Sequence, residues 1–405
     1  MSRSEKPIYL DYHATTPVDE RVLKAMLPFF TEHFGNPSSR SHPYGWQASE
    51  AVEIARTHVA DLLKVASNEI TFTSGSTEGL NMAIKGLAES LSHQGKHIIS
   101  IATEHQAVLD PLAYLSHHRY KVTYLKVSDK GMIDMQELSD SIHSETIMVI
   151  AMWANNETGV IHDMPAIGKI CREKGIAFVT DATQAIGKIP ADPIACNIDM
   201  LVMSGHKIYG PKGTGAIWIP QNEKKLKPVP LLHGGGHEHG VRAGTLNTPG
   251  IVGLGMACKL ISDVLSADME HMHRLRNEFE KKVITQLEAV KINGDTNHRL
   301  SSVSNLKINF TDSQAVMTKL RTKLAISSGS ACSSANPAPS HVLLAMGLTA
   351  TQAKASFRIS FGRMSTQQEM ESAAELLIHA VQEYRSQSPV WQMFKQGIDI
   401  SGLHA

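Results

Sequence analysis

Cysteine is scarce in this chain, which has four in 405 residues: Cys171, Cys196, Cys258 and Cys332. None belongs to a Cys-x-x-Cys pair, which argues against a disulfide framework and against a thiolate metal cage. Three of them, at 171, 196 and 258, stand among apolar residues, where cysteine is usually buried and inert. Cys332 stands apart from these three, among small polar residues.

The chain also lacks an excess of charge of either sign. Lys plus Arg and Asp plus Glu both number 39, so the formal net charge is +0 and no basic footprint for nucleic acid or membrane is present. No stretch reaches the roughly 18 apolar residues of a membrane span, and residues 1–10 lack the apolar core of a signal peptide. We therefore expect a cytoplasmic protein that acts on a small molecule, with no direct nucleic-acid or membrane partner.

Histidine, in contrast, is abundant at 21 residues. His233, His237 and His239 crowd one glycine-rich loop, a pattern that can indicate a metal site. Glu238 is the one acidic residue beside them and no thiolate is near in sequence, so a coordination set is not completed. We expect no metal.

Short apolar runs alternate with helical stretches from about residue 50 to 260, which predicts an α/β fold. Strands are expected at 69–73, 97–102, 147–152, 176–180 and 200–203, and a polar cluster follows each of them. Ligands of open α/β sheets bind beyond the carboxyl ends of the strands. Five such clusters predict a site at that edge. After residue 253, apolar residues at spacings of three to five predict a long helix, and the alternating strand-like and helical segments that follow predict a smaller α+β domain.

The most informative cluster is 204–207, which reads Ser204-Gly205-His206-Lys207. Lysine forms imines with carbonyl compounds, and pyridoxal phosphate uses such a bond as its attachment to protein. A lone lysine after a strand is more often an ordinary surface residue. The neighbouring hydroxyl and imidazole, and the other strand ends, favour a cofactor lysine.

The other strand ends supply groups that suit the same cofactor. Gly75, Ser76 and Thr77 lie at a strand-to-helix junction, where backbone N–H groups favour a phosphate, although Ser or Thr is also the ordinary cap of a helix. Asp181 can pair with a protonated pyridine nitrogen, the alternative being a helix cap. The remaining candidates are His105, which can stack on the ring and act as acid or base, and Gln184 and Asn156, which can bind its phenolic oxygen.

Two residues of the C-terminal part suit a substrate. Cys332 lies within Ser-Ser-Gly-Ser-Ala-Cys-Ser-Ser-Ala at 327–335, a run typical of a mobile loop that carries a nucleophile. Arg358 interrupts an apolar strand and can clamp an α-carboxylate with two hydrogen bonds. The alternative for Arg358 is a surface ion pair on an edge strand.

With these residues in place, the chain resembles the cysteine desulfurases, class V relatives among the fold-type I pyridoxal phosphate enzymes. The shared motifs recur in family order at 10–17, 34–39, 73–78, 103–105, 155–157, 181–184, 204–207, 242–245 and 327–334. The form of the 327–332 segment resembles the IscS-type branch. The resemblance implies a large domain over 16–262, with a mostly parallel sheet flanked by helices, and a smaller α+β domain formed by 1–15 and 263–405.

The resemblance also implies roles. Lys207 would hold pyridoxal 5'-phosphate, Asp181 would pair with its ring nitrogen, His105 would stack on it, and Gln184 and Asn156 would bind its substituents. The phosphate would be held by Thr77, Ser204 and His206, and by Thr245 from the neighbouring subunit of a homodimer.

Under the same resemblance, Cys332 would take the sulfur of L-cysteine as a persulfide and L-alanine would leave. The sulfur would go to an iron–sulfur scaffold protein, docked on the tail at 388–397, and to acceptors for transfer RNA thiolation and thiamine synthesis. The alternatives are a selenocysteine lyase, another class V enzyme such as an aminotransferase, and, disfavoured by the complete residue set, a sulfur-relay scaffold without turnover.

Overall fold

The computed structural model describes residues 6–221, 226–328 and 338–398. The strands are β1 Ile8–Tyr9, β2 Ile70–Thr73, β3 His97–Ile101, β4 Lys121–Leu125, β5 Thr146–Ile150, β6 Ala177–Asp181, β7 Met200–Ser204, β8 Gly215–Trp218, β9 Val290–Ile292, β10 Val303–Ile308, β11 Leu324–Ala325 and β12 Ser356–Ser360. The α-helices are α1 Glu20–Met26, α2 Pro28–Thr31, α3 Pro43–Leu63, α4 Ser76–Asn81, α5 Leu87–Ser90, α6 Gln106–His117, α7 Met135–Ser141, α8 Met164–Glu173, α9 Thr248–Gln286, α10 Ser313–Leu320, α11 His341–Ala345, α12 Ala350–Lys354, α13 Gln367–Ser386 and α14 Pro389–Lys395.

The central sheet has seven strands in the order β2-β8-β7-β6-β5-β3-β4. Pairing is parallel from β7 through β6, β5 and β3 to β4, and β8 is antiparallel to both of its neighbours. The predicted α/β fold with a mostly parallel sheet is confirmed. Because β2 runs in the same direction as β7, the five strands that carry the polar clusters all end at one edge.

Glycines allow helix α4 and the residues before it to pack closely on the central sheet. A Cβ on Gly79 would lie 2.7 Å from Val202 Cγ1, and a Cβ on Gly215 would lie 2.7 Å from Gly75 Cα. Helix α4 therefore packs directly on β7. A π-helical turn, Met82–Gly86, joins α4 to α5.

A second sheet, of order β12-β10-β9, lies in the C-terminal part, and β1 pairs with β11. The long helix α9 serves two hydrophobic cores: Leu254, Ile261 and neighbours belong to the core of the large sheet, whereas Met272, Phe279 and Val283 pack with β10, β12 and Leu10. By length and composition α9 could cross a membrane, but half of its apolar window is buried in the protein. The change of core along α9 supports the domain division at 262/263, which stays a proposal.

The tail packs on its own domain over α14. The rings of Trp391 and Phe394 lie 5.5 and 4.8 Å from that of Phe310, and the Arg385 guanidinium lies 4.3 Å above Trp391. Helix α14 is therefore packed on Phe310 and on the end of α13. Phe394 is still partly exposed, so docking at this end stays a prediction.

Candidate active site

Lys207 lies at the carboxyl edge, on a 3₁₀ turn that follows β7 directly. Its Nζ donates to the backbone oxygens of His13 and Ala14, at 2.6 and 2.8 Å. Thr16 fixes the same N-terminal segment, because its Oγ1 donates to His206 O and accepts from Tyr209 N. The residues before α1 thus form a wall of the site.

Asp181 is the last residue of β6, the strand next to β7, and is buried. Its Oδ1 accepts from Thr183 N at 2.9 Å, so the carboxylate closes the following turn. No helix begins within residues 182–199, so the alternative in which Asp181 is a helix cap is wrong. Gln184 is buried on that turn and its Nε2 donates to His13 O at 2.9 Å. Lys207 and Gln184 therefore meet at one carbonyl.

His105 is the N-cap residue of α6, and its Nδ1 accepts from Ala107 N at 3.0 Å. That acceptor role leaves the proton on Nε2. Burial lowers the pKa of His105, the negative charge of Asp181 opposes this, and the positive charge of Lys207 adds to it. These interactions show that side chains from three strand ends lie together, and we call Lys207, Asp181, Gln184 and His105 the strand-end pocket.

Gly75 is the N-cap residue of α4, with φ 145° and no side-chain cap. Ser76 and Thr77 are in the first turn, so the alternative in which a hydroxyl caps this helix is wrong. A Cβ on Gly75 would lie 3.8 Å from Ser204 Oγ, so the first turn of α4 adjoins the end of β7. Glu78 accepts from Ser74 N and pairs with Arg242 at 2.8 Å, which ties the 242–245 motif to this turn.

His206 turns its Nδ1 to Thr15 Oγ1, at 3.1 Å. Burial, with Lys207 and two further lysines, lowers the pKa of His206 to about 4. The ring is therefore neutral at physiological pH. It can take part in a phosphate site as a hydrogen-bond donor.

Arg358 lies on β12, the edge strand of its sheet, but it is buried. Its Nη2 contacts Asp11 Oδ1 at 2.8 Å and Ser327 Oγ at 2.9 Å, and its Nη1 donates to Asn156 O at 3.1 Å. The expected alternative, a surface ion pair, is wrong because the pair is enclosed. Asn156 thus links Arg358 to the end of β5.

The structure does not place two of the predicted site residues, Thr245 and Cys332, beside the others. Thr245 is exposed, and no hydrogen bond recorded for the described residues joins it to the strand-end pocket. Cys332 lies outside the described residues. The chain on either side is anchored near the site: Ser327 contacts Arg358, and Ser340 Oγ donates to Glu157 Oε2 at 2.5 Å.

The other three cysteines are buried, as expected, and none of them forms a disulfide. Burial raises the pKa of the Cys196 thiol to about 11 and raises the pKa of the Cys258 thiol further. Both are therefore protonated and unreactive at physiological pH.

Three buried groups of the site were missed by sequence reasoning. Lys188 donates to Gln184 Oε1 at 3.0 Å, and the ring of His13 contacts Asn156 O and Ser302 Oγ. Glu104 accepts from Met152 N, and burial, with Asp181 nearby, raises its pKa well above the usual value. The Thr-Glu-His run at 103–105 gave a signal for Glu104; for Lys188 the only signal was its i, i+4 spacing from Gln184.

The residues present fit pyridoxal phosphate. Asn156 Oδ1 and Thr183 Oγ1 are buried and have no hydrogen-bond partner among the described residues. Buried polar atoms are rarely left without partners in folded proteins, so these two favour a polar ligand in the pocket. The uncapped first turn of α4 supplies backbone N–H donors for an anion. In the order of the sheet, the strands that carry Lys207 and Asp181 stand between β2, which leads to α4, and β5, which leads to Asn156.

Comparisons with known proteins identify the family of this chain. The model of the aminotransferase class-V family matches residues 8–372. Cysteine desulfurase IscS of Neisseria meningitidis is 49% identical over 397 residues, which cover 98% of each chain. Cysteine desulfurase IscS of a Shewanella species is 47% identical over the same share.

Solved structures are similar as well. A NifS-like protein superposes with a TM-score of 0.86 at 33% identity, covering 93% of this chain and 100% of that chain. A structure of SspA in complex with cysteine gives a TM-score of 0.77 at 36% identity, covering 88% and 99%. The chain therefore belongs to the class V aminotransferase family and, within it, to the cysteine desulfurases of the IscS type.

Proposed function

We propose that this protein is a pyridoxal phosphate-dependent cysteine desulfurase that converts L-cysteine to L-alanine and transfers the sulfur to Cys332. The observation that carries the proposal is the meeting of Lys207, Asp181 and His105 at the carboxyl edge of the sheet, in a chain 49% identical to a cysteine desulfurase over 98% of its length. Lysine, carboxylate and imidazole are the groups that this cofactor requires.

When bound, pyridoxal phosphate supplies an electron sink that labilises bonds at the substrate Cα and Cβ. Lys207 would hold it covalently, and Asp181 would pair with its ring nitrogen. Gln184 and Asn156 bind its ring substituents. The phosphate group is held by residues of the first turn of α4 and the end of β7: Gly75, Ser76, Thr77, Ser204 and His206.

His105 would stack on the cofactor ring. Because its folded-state pKa is lowered, its ring is neutral at physiological pH, and because Nδ1 accepts from Ala107 N, the group it can offer at the reacting atoms is the Nε2–H donor. The substrate α-carboxylate is bound by Arg358, with Asn156 beside it, since a guanidinium recognises a carboxylate with two parallel hydrogen bonds.

In the sulfur transfer, the Cys332 thiolate attacks the substrate sulfur, an S–S bond forms, and the substrate Cβ–S bond breaks. The electron pair of that bond and a proton remain with the three-carbon product, which leaves as L-alanine. L-cysteine and the Cys332 thiol are thereby converted into L-alanine and a Cys332 persulfide, without an added oxidant or reductant.

Mass spectrometry of the protein after exposure to L-cysteine tests this function. We expect one added sulfur on the peptide that contains Cys332, together with released alanine. C332A should lose both and keep the visible absorption of the bound cofactor, whereas C258A serves as the matched control. Sulfur release by C332A at the wild-type rate would refute the assignment of Cys332 as the nucleophile.

The same assay separates the alternatives. Faster turnover of L-selenocysteine than of L-cysteine would indicate a selenocysteine lyase. A preparation that remains colourless after incubation with pyridoxal phosphate would indicate a sulfur-relay scaffold without turnover.

We further propose that the enzyme is a homodimer. Large exposed apolar side chains are concentrated at the N-terminal end of the large domain; they are Leu27, Phe30, Phe34, Tyr44 and Trp46. A surface of this kind is typical of a protein interface. A cavity lined by Trp46, Ser38, Gly236 and His237 shows that the loop leading to Thr245 adjoins this surface.

Mixed dimers test whether Thr245 acts across the interface. T245A and K207A should each be inactive or nearly so. After co-refolding, a dimer of one T245A and one K207A protomer contains one site with both Lys207 and Thr245, so about half of the dimers should each regain one active site. Failure of the mixture to regain activity would show that Thr245 acts within its own chain.

The recipients of the persulfide sulfur belong to the same proposal. They are an iron–sulfur scaffold protein, docked at the tail around α14, and acceptors for transfer RNA thiolation and thiamine synthesis, in the cytoplasm. Pull-down of the purified scaffold by the full chain, compared with W391A, tests the docking site.

A further inference from the structure

We propose that Lys188, the second lysine of the site, is a positioning residue that fixes the orientation of the Gln184 side-chain amide. The inference rests on the proposed function in one respect, since the group that Gln184 serves is the bound cofactor. The two residues lie four apart on the turn after β6, which places both side chains on one side of it.

The hydrogen bonds around Gln184 define which end of its amide faces the pocket. Lys188 Nζ contacts Gln184 Oε1 at 3.0 Å, and Gln184 Nε2 donates to His13 O at 2.9 Å. The Lys188 amino group donates to the amide oxygen through its N–H bonds, and a backbone carbonyl accepts only. Both contacts therefore turn the NH₂ group toward His13 O, which is also the acceptor of Lys207 at 2.6 Å.

Burial of Lys188 is not explained by stability. The residue is 6% exposed, and no carboxylate pairs with it among the described residues. A buried cation without a counter-charge destabilises a fold, and an apolar residue of the same size is usually at least as stable. A lysine kept there despite this cost indicates a role in the site.

The surroundings of Lys188 are largely basic. The groups that interact with it electrostatically are Lys207, His13 and His206. Burial, with the charge of Lys207, lowers the pKa of Lys188 to about 7. A charge on Lys188 equally disfavours a positive charge at Lys207, as a neighbouring cation does for other catalytic lysines.

Lys188 therefore has two effects on one site. It presents the Gln184 NH₂ group, a donor, to the ring oxygen of the cofactor, and it adds positive charge beside the covalent linkage at Lys207. Both effects change the visible absorption of the holoenzyme and its dependence on pH, which packing alone leaves unchanged.

K188M tests the proposal, with K188R as the conservative variant and K169M, at an exposed lysine of α8, as the control. We expect the pH midpoint of the visible band to move upward by at least half a unit in K188M and the affinity for pyridoxal phosphate to fall at least threefold. K188R should restore both, because arginine is also a donor only. In a Q184M background, the K188M effect on affinity should disappear.

Urea unfolding of the apoprotein separates positioning from packing. We expect K188M to be as stable as the wild type or more stable. An unchanged midpoint and affinity in K188M, or a shift that K188R does not reverse, would overturn the proposal. If K188M does not fold, K188Q is judged by the same criteria. A wild type that develops no visible band would refute the proposed function instead, so the two failures are distinguishable.

Discussion

Thr16 shows how much of the site depends on single hydrogen bonds. Its hydroxyl donates to His206 O at 3.0 Å and accepts from Tyr209 N at 2.8 Å, so it joins the N-terminal wall to the loop that carries Lys207. Each such bond contributes about 1 kcal/mol, and a buried group left without its partner costs about 1–3 kcal/mol.

We expect T16V to lower the affinity for pyridoxal phosphate about tenfold, because Val has the same shape but neither bonds to His206 O nor accepts from Tyr209 N. T16S keeps the hydroxyl and should remain within about twofold of the wild type. Fluorescence titration of the apoprotein with the cofactor measures both. Equal affinities of T16V and T16S would contradict the role of the hydroxyl.

His162 predicts a dependence of stability on pH. It is buried, neither ring nitrogen has a partner among the described residues, and burial lowers its pKa to about 4. In the unfolded chain the His162 ring has a pKa near 6.5, so it is protonated at a pH where the buried ring of the folded chain is still neutral. Above about pH 6.5 His162 therefore does not change the free energy of unfolding. As the pH falls below this value the free energy of unfolding declines, by about 3 kcal/mol at pH 4.

We expect H162L to reduce the loss of stability between pH 7 and pH 4, measured as the free energy of unfolding in urea at several pH values. H117L, at an exposed histidine of α6, should keep the wild-type slope. An identical slope in H162L would show that the acid sensitivity comes from other groups, such as His13 and His206.

At the scale of elements, the contact of α4 with β7 sets the position of the predicted phosphate site. Gly79 leaves room for Val202, whose Cγ1 would lie 2.7 Å from an added Cβ. A methyl group there forces the helix outward and costs about 1–3 kcal/mol by overpacking.

We therefore expect G79A to weaken cofactor binding at least tenfold and G79A/V202A to regain most of it, since V202A removes the clashing methyl groups. V202A alone is the control for the cavity it creates. The affinity for pyridoxal phosphate and the melting temperature measure the effect. No recovery in the double variant would show that the clash is not the cause.

For several strands, the local sequence was sufficient to predict where they begin and end. Apolar runs predicted β3, β5, β6 and β7 to within two residues, because buried parallel strands are apolar along their whole length. The cap of α4 was not predictable. Ser and Thr are favoured caps, but the cap residue Gly75 has φ 145°, a conformation that favours glycine. The backbone there is packed against Gly215, and this contact depends on residues distant in sequence.

At the scale of the whole molecule, α9 connects the two cores, and the site draws on both. Lys207 and Asp181 come from the large sheet, whereas Arg358 comes from the C-terminal one. The central part of α9, around the exposed Ser266, lies between the residues that pack in the one core and those that pack in the other.

We expect S266P to lower the free energy of unfolding by about 3 kcal/mol or more and to reduce cofactor retention, because proline removes a helical hydrogen bond and bends the helix. S266G should cost about 1 kcal/mol and retain the cofactor. Urea unfolding and gel filtration of the holoenzyme measure both. If S266P behaves like S266G, the helix does not couple the two parts.

The sequence alone predicted the α/β fold, the strand ends and the clustering of Lys207, Asp181, His105 and Gln184. Apolar runs and the residues that follow them are local properties, and ligands of open α/β sheets bind where such strands end. Only the tertiary structure decided that Arg358 is buried against Asp11, that the N-terminal segment forms a wall of the site, and that Lys188 is enclosed beside Gln184. Each of these depends on contacts between residues distant in sequence, and burial and charge at such contacts are set by packing.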